Sequence, residues 1–206
     1  MYIKWNSNLI SLKYDIEVEC MAKVLKNDYN IFENEEEIKK REEALLLLKK
    51  YVKEVVKSIY KAKGKTDKEA KNAGGEVFIF GSYSLGISLP GDDIDAFCIA
   101  SVKDIRENYT ECERKELFNE MEKQLEKLRG EEEITQILPV PDAKVPIIKI
   151  KYKNIPIDIL VASVSFKSIK ENLNLEDDNI LKNCCEKCIL SLNGCLVTNL
   201  IKVITK

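Results

Sequence analysis

Three aspartates carry most of the chemistry that this sequence can offer: Asp93 and Asp95, one residue apart in "GDDIDAFCIA", and Asp158 in "IPIDILVA". Both stretches otherwise read as apolar strands, and an ionised carboxylate is costly to bury unless something cationic meets it. A lysine or arginine partner, a displaced pair of pKa values or a metal ion would each answer that cost. Residues i and i+2 of a strand project from the same face, so Asp93 and Asp95 lie side by side and repel. Left alone, one of them would keep its proton, whereas a hard divalent cation with a preference for oxygen ligands removes the conflict. Asp158, on another strand, offers a third carboxylate to the same cluster. Two magnesium ions held by such carboxylates are how many polymerases and nucleases activate a hydroxyl and stabilise a leaving phosphate oxygen.

The turn just upstream, Phe80-Gly81-Ser82, suits a phosphate. Gly81 lets an anion approach the backbone, and Ser82 with the N–H groups after it opens a helix whose N-terminus favours negative charge. Each piece also has a plainer reading. D-x-D pairs are common on surfaces, and a strand aspartate can simply pair with one of the chain's many lysines. The ordered combination is much more specific than its parts.

The elements that must position these residues follow from periodicity. In "EEIKKREEALLLLKKYVKEVVKSIYKAKG", Leu45, Leu48, Val52, Val55 and Ile59 recur at alternating spacings of three and four, which predicts a long amphipathic helix ending near Gly64. Trp5 and "YDIEVECMAKVL" ahead of it hint at a shorter helix or an irregular arm. "KNAGGEVFIF" reads as a glycine turn entering a strand, with Val77 and Ile79 on one face and Phe78 and Phe80 on the other. Thr110 and Glu113 make a capping-box signal for a second helix, whose stripe of Leu117, Met121, Leu125 and Leu128 stops at Gly130. "VPIIKIKYKNIPIDILVA" alternates on both sides of a Lys153-Asn154 turn and predicts two antiparallel strands. On the second of these, Ile155, Ile157, Ile159 and Val161 share a face, leaving Asp158 with Leu160 and Ala162 on the other. Lys149, Lys151 and Lys153 share a face of the first. Glu131 to Glu133 read as a solvated loop. The pattern is a mixed α/β domain with an N-terminal helical arm.

At 206 residues and 45% hydrophobic content, the chain is long enough for one full domain with an appendage. A formal net charge of -2 supplies no global positive field, so any nucleic acid must be held locally. No early segment combines a basic start, an apolar core and a small-residue cleavage site, and the longest aliphatic run is Ala44 to Leu48, so the chain reads as soluble and unsecreted, without a membrane. Seven cysteines, an odd count in a chain of this size, fit a reducing compartment. Cys184, Cys185, Cys188 and Cys195 could suggest zinc, but there is no histidine and no second cysteine pair at zinc-finger spacing, so zinc is not expected.

Together "FGSYSLGISLPGDDIDAFCIA", "PVPDAKVPIIKIKYKNIPIDILVA" and "SLNGCLVT" resemble eukaryotic nuclear poly(A) polymerases, members of the DNA polymerase beta-like nucleotidyltransferase superfamily. The resemblance runs from about Ile31 to the C-terminus. It implies a nucleotidyltransferase palm, a mixed and partly antiparallel sheet flanked by helices, in a nuclear enzyme. The implied activity is template-independent addition of AMP from ATP to RNA 3′ ends, with two Mg2+ ions (or Mn2+) and 3′-end processing factors as partners. The implied metal and catalytic residues are Asp93, Asp95 and Asp158. The implied nucleotide-binding set is Phe80, Gly81, Ser82, Asp93, Ile94, Asp95, Asp158 and Asn193. The implied division is a helical arm over 1–62, the catalytic palm over 63–165, and over 166–206 a linker with the start of a middle domain.

The chain departs from that pattern where the family usually has a basic residue at the position of Ser84, often a histidine at that of Ser88, and "NGCRVTDE" where this chain has "NGCLVTNL", with Leu196 and Asn199. The family's middle domain, which gives a lysine and a tyrosine to the ATP, would follow Lys206. The helical stripe of Leu45, Leu48 and Val52 is therefore expected to be partly uncovered. Two other readings stay open: a non-catalytic palm that serves as a binding module, and a nucleotidyltransferase with another acceptor.

Overall fold

A computed structural model describes residues 18–21, 23–25, 33–102, 111–130, 134–164, 166, 168–170, 173–182 and 184–205. Trp5, the Thr110 cap and the acidic run at 131–133 lie outside these. Residues 18–21 and 23–25 are helical, in keeping with the short helix expected there. The predicted long helix is α1, Glu35–Ala62, capped by the Asn34 side chain, which accepts from the Glu37 N–H. It is followed by α2 (Asp67–Ala73), β1 (Gly75–Phe80), α3 (Gly81–Leu85), β2 (Ile94–Ala100) and α4 (Glu111–Lys127). Next come β3 (Ile134–Val140), β4 (Ile147–Tyr152), β5 (Ile155–Ser163), α5 (Asp178–Lys182) and α6 (Glu186–Ile204).

The five strands form one mixed sheet in the order β1-β2-β5-β4-β3. Only β2 and β5 run parallel; the other neighbours are antiparallel. On one face Ile94, Ala96, Ile148, Ile157 and Ile159 meet Leu48, Val52, Val55 and Ile59 of α1 and Leu117, Met121 and Leu125 of α4. On the other, Phe97, Ile99, Leu160 and Ala162 meet Cys188, Leu192 and Cys195 of α6. The alternation read from β1 and β5 is thus the division between the two cores. Of the stripe expected to be partly uncovered, Leu45 is only partly buried, whereas Leu48 and Val52, with Val55, are fully buried against this sheet and α4, and each of these three contributes about 1.5–3 kcal/mol through burial. Exposed apolar side chains gather instead on α6, at Val197, Leu200, Val203 and Ile204. By length and composition α6 could cross a membrane; here its other side is docked on the sheet.

Four elements escape the sequence reading: α2, β3, α5 and α6. The helix α2 carries a full capping box, with Thr66 and Glu69 bonding each other's backbone N–H. Strand β3 contains Pro139, which sheets tolerate at an edge, and β3 is an edge strand. The predicted hairpin turn holds Lys153 and Asn154, both at positive φ (47° and 68°), as a two-residue hairpin loop of the primed type requires. Lys153 does not stay with Lys149 and Lys151: the turn carries its ammonium to Glu43 of α1, 3.0 Å away.

Candidate active site

Register gathers the site. Asp95 sits opposite Phe80 on the antiparallel neighbour β1 and opposite Asp158 on the parallel neighbour β5, while Asp158 sits opposite Lys149 of β4. Four strands therefore present Phe80, Asp95, Asp158 and Lys149 in one row across the sheet. Asp93 lies just before β2 begins. One carboxylate oxygen from each of Asp93, Asp95 and Asp158 lies within 4.8 Å of the other two, with Asp93 the most open. No other group of three metal-ligating side chains this close occurs among the described residues.

The electrostatics are those of an excess of negative charge. Burial pushes the Asp95 carboxyl up to about 6, and the charges of Asp93 and Asp158 add to the rise, against a smaller opposing pull from Lys149. Lys149 Nζ donates to Asp158 Oδ2, and that bond raises the lysine's own pKa. The plainer reading is therefore met at one residue, since Asp158 does have a lysine partner. One ammonium does not neutralise three carboxylates. An all-oxygen donor set of this compactness, with one member's pKa raised by burial and by its neighbours' charges, fits a hard divalent cation.

Beside the trio, Gly81 begins α3 at a φ of 69°, a conformation that favours glycine. A Cβ there would also collide with the Asp95 carboxylate. Together Phe80, Gly81, Ser82, Asp95, Asn193 and Gly194 line part of a cavity of about 470 Å³ between α3 and α6, within the usual size of small-molecule sites. Five of the residues expected at the nucleotide thus share one cavity, and the three expected at the metal share one cluster. Ile94 is placed differently, because its side chain is fully buried in the core on the opposite face, leaving only its backbone near the site. A cavity of about 630 Å³ lies at the far end of β1, beside Gly74 and Gly75, and holds none of the three aspartates.

Supporting residues went unread. Thr198 Oγ1 accepts from the Gly81 N–H at 3.0 Å and ties α6 to the turn that opens α3. Phe80 packs on Gly194, where a Cβ would come within 2.5 Å of the ring. Arg41, fully buried on α1, donates through Nη2 to the Asp92 carbonyl at 2.7 Å, and Glu37 accepts from the Gly91 N–H, so α1 holds the loop that delivers Asp93. The only clues in the sequence were an arginine one turn ahead of an apolar stripe and a threonine one turn after Gly194. Ser84 is not left without a cation: Lys202 Nζ donates to its hydroxyl at 2.8 Å.

Residues 15–204 match the model of the poly(A) polymerase nucleotidyltransferase domain. The chain belongs to this family. It is 41% identical over 175 residues to a poly(A) polymerase of Schizosaccharomyces pombe, covering 85% of this chain and 29% of that protein. It is 38% identical over 172 residues to nuclear poly(A) polymerase 1 of Arabidopsis thaliana, covering 84% and 23%. The chain thus spans less than a third of the length of these poly(A) polymerases. A solved structure of the RNA terminal uridylyl transferase Cid1 aligns with a TM-score of 0.44 and 19% identity, over 68% of this chain and 34% of that one.

Proposed function

We propose that this chain is the catalytic palm of a poly(A) polymerase, adding AMP from ATP to RNA 3′ ends with Mg2+ or Mn2+. The single observation that carries this reading is the convergence of Asp93, Asp95 and Asp158 at the edge of a nucleotide-sized cavity opened by Gly81. Divalent cations bound there would make the RNA 3′-hydroxyl more acidic and offset charge on the leaving pyrophosphate. Asp93, Asp95 and Asp158 hold them; Gly81 and Ser82 receive the phosphates; Phe80 and Asn193 bound the cavity that takes the nucleoside. In the reaction the RNA 3′-oxygen bonds to the α-phosphorus, the bridging P–O bond to the β-phosphate breaks, and pyrophosphate leaves. Asp95 must give up its proton for full ligation, and Lys149 orients Asp158 through the hydrogen bond it donates. The nuclear site of action belongs to the same reading, supported by a nuclear relative, and contact with 3′-end processing factors is proposed with it.

The test is incorporation of labelled ATP onto an oligo(A) primer by the purified chain with magnesium or manganese, beside an Asp93→Ala, Asp95→Ala double variant. Extension by the first and none by the second is expected. Equal extension by both would overturn the assignment of the aspartates. Extension with another nucleotide in preference to ATP would favour a transferase of different specificity. A chain that binds neither metal nor ATP would be left as a binding module.

A further inference from the structure

The nucleotide site makes no use of the sequence "CCEKC", which forms the entry to α6. Cys185 caps that helix in an extended conformation, with φ -75° and ψ 163°, and Cys188 follows in its first turn, buried against the sheet. Their Sγ atoms lie 3.3 Å apart. A disulfide bond is about 2.0 Å long, so roughly 1.3 Å of side-chain movement closes the pair. Two cysteines with two residues between them at the start of a helix are the arrangement that favours a thiolate on the first, because the helix end presents unpaired N–H groups and positive charge. In this chain Cys185 is lowered to about 6, first by its side-chain hydrogen bond with Cys188, against burial, with help from the Cys188 backbone N–H and the Arg114 guanidinium. Its neighbour Cys184 is driven the other way, to about 12, by burial. The two differ in access as well, since Cys185 is half-buried and Cys188 closed off.

We propose that Cys185 and Cys188 form a reversible redox dithiol, oxidised to an intramolecular disulfide by exchange with a low-molecular-weight disulfide of the glutathione class. The Cys185 thiolate attacks one sulfur of the small disulfide, forming a mixed disulfide and releasing one thiolate, which takes up a proton. Cys188 then gives up its proton and attacks the Cys185 sulfur, releasing the second small thiol. Two protein thiols are oxidised and one small disulfide is reduced to two thiols. The cross-link lies in the first turn of the helix whose next turns carry Asn193, Gly194 and Thr198, but its formation does not depend on the nucleotide chemistry of that site.

The experiment equilibrates the full reduced chain anaerobically across a series of ratios of glutathione to glutathione disulfide, quenches in acid, alkylates and maps tryptic peptides by mass spectrometry. Cleavage after Lys187 separates the two cysteines, so a Cys185–Cys188 bond appears as two joined peptides with Cys184 and Cys195 alkylated. That product is expected to rise with the oxidising ratio and to vanish with dithiothreitol. Cys188→Ser is expected to accumulate Cys185 as its glutathione mixed disulfide, because the resolving thiol is gone; Cys185→Ser is expected to leave Cys188 reduced. Full alkylation of both cysteines at the most oxidising ratio, or a bond made by Cys184 in place of Cys185, would overturn the proposal.

Discussion

Asp95 is the residue where structure and function pull hardest against each other. Its carboxyl titrates near 6 in the fold and at the ordinary 3.8 in the unfolded chain, so the folded state holds the extra proton between those values. Stability from this group is therefore intact at low pH, falls as pH rises from about 3.8 to about 6, and stays lower above that. Asp95→Asn removes the penalty. Without divalent ions at pH 8 it is expected to be more stable than the parent by about 1 kcal/mol, after allowing for solvent screening, or roughly 2–4 °C in Tm. At pH 4 the gain should disappear, and an equal gain at both pH values in thermal melts would refute the linkage. Millimolar Mg2+ should reverse the order, because a ligand that binds only the folded parent stabilises it; a variant that responds to magnesium as the parent does would remove Asp95 from the metal site. Gly81→Ala addresses the neighbouring constraint. Its Cβ is forced into the Asp95 carboxylate at a φ that alanine resists, so nucleotidyl transfer should fall by at least an order of magnitude, checked by steady-state rates at matched folded fraction.

At the level of elements, the site depends on two helices that touch no substrate atom through their supporting residues. Arg41 of α1 is buried with Glu33 and Glu37 beside it and reaches the Asp92 carbonyl. Removing it leaves the partly buried Glu33 and Glu37 carboxylates uncompensated, so Arg41→Met is expected to cost about 2–3 kcal/mol in urea unfolding. Arg41→Lys should recover little of that, since an ammonium lacks the fork that spans these partners. A loss below 1 kcal/mol would show that the loop before Asp93 is held by other contacts. Helix α6 is fastened through Thr198 and Gly194. Thr198→Val keeps the volume and removes the acceptor for the Gly81 N–H, so ATP affinity should weaken while metal binding by the trio is retained, as separate calorimetric titrations can read. The periodicity of α1 was plain in the sequence because a regular helix writes its burial as a 3.6-residue repeat. Arg41, ahead of that repeat, gave no sign of its bond to the Asp92 carbonyl, 51 residues away.

For the molecule as a whole, two cores lie on the two faces of one sheet, and the active row crosses four of its strands. The apolar residues that remain in water are concentrated on the outer side of α6. They take no part in either core, so Val203→Lys should change unfolding stability by no more than about 0.5 kcal/mol. A larger loss in denaturant titration would mean that this surface is packed in the isolated chain.

The sequence by itself determined the alternation of β1 and β5, the long amphipathic α1, the hairpin at Lys153-Asn154 and the identity of the three carboxylates. These are local signals, or mark a cost that a chain pays only for a purpose: charge in an apolar strand. It did not disclose β3, whose Pro139 argues against a strand until the sheet places it at an edge. Nor did it show that α6 closes the cavity over Gly81, or that Lys149, Lys202 and Arg41 bring their charges to the site. Those contacts span separations from 9 to 118 residues. Only strand order and helix packing decide which charges meet, because side-chain pairing over such distances leaves no period in the chain for a reader to find.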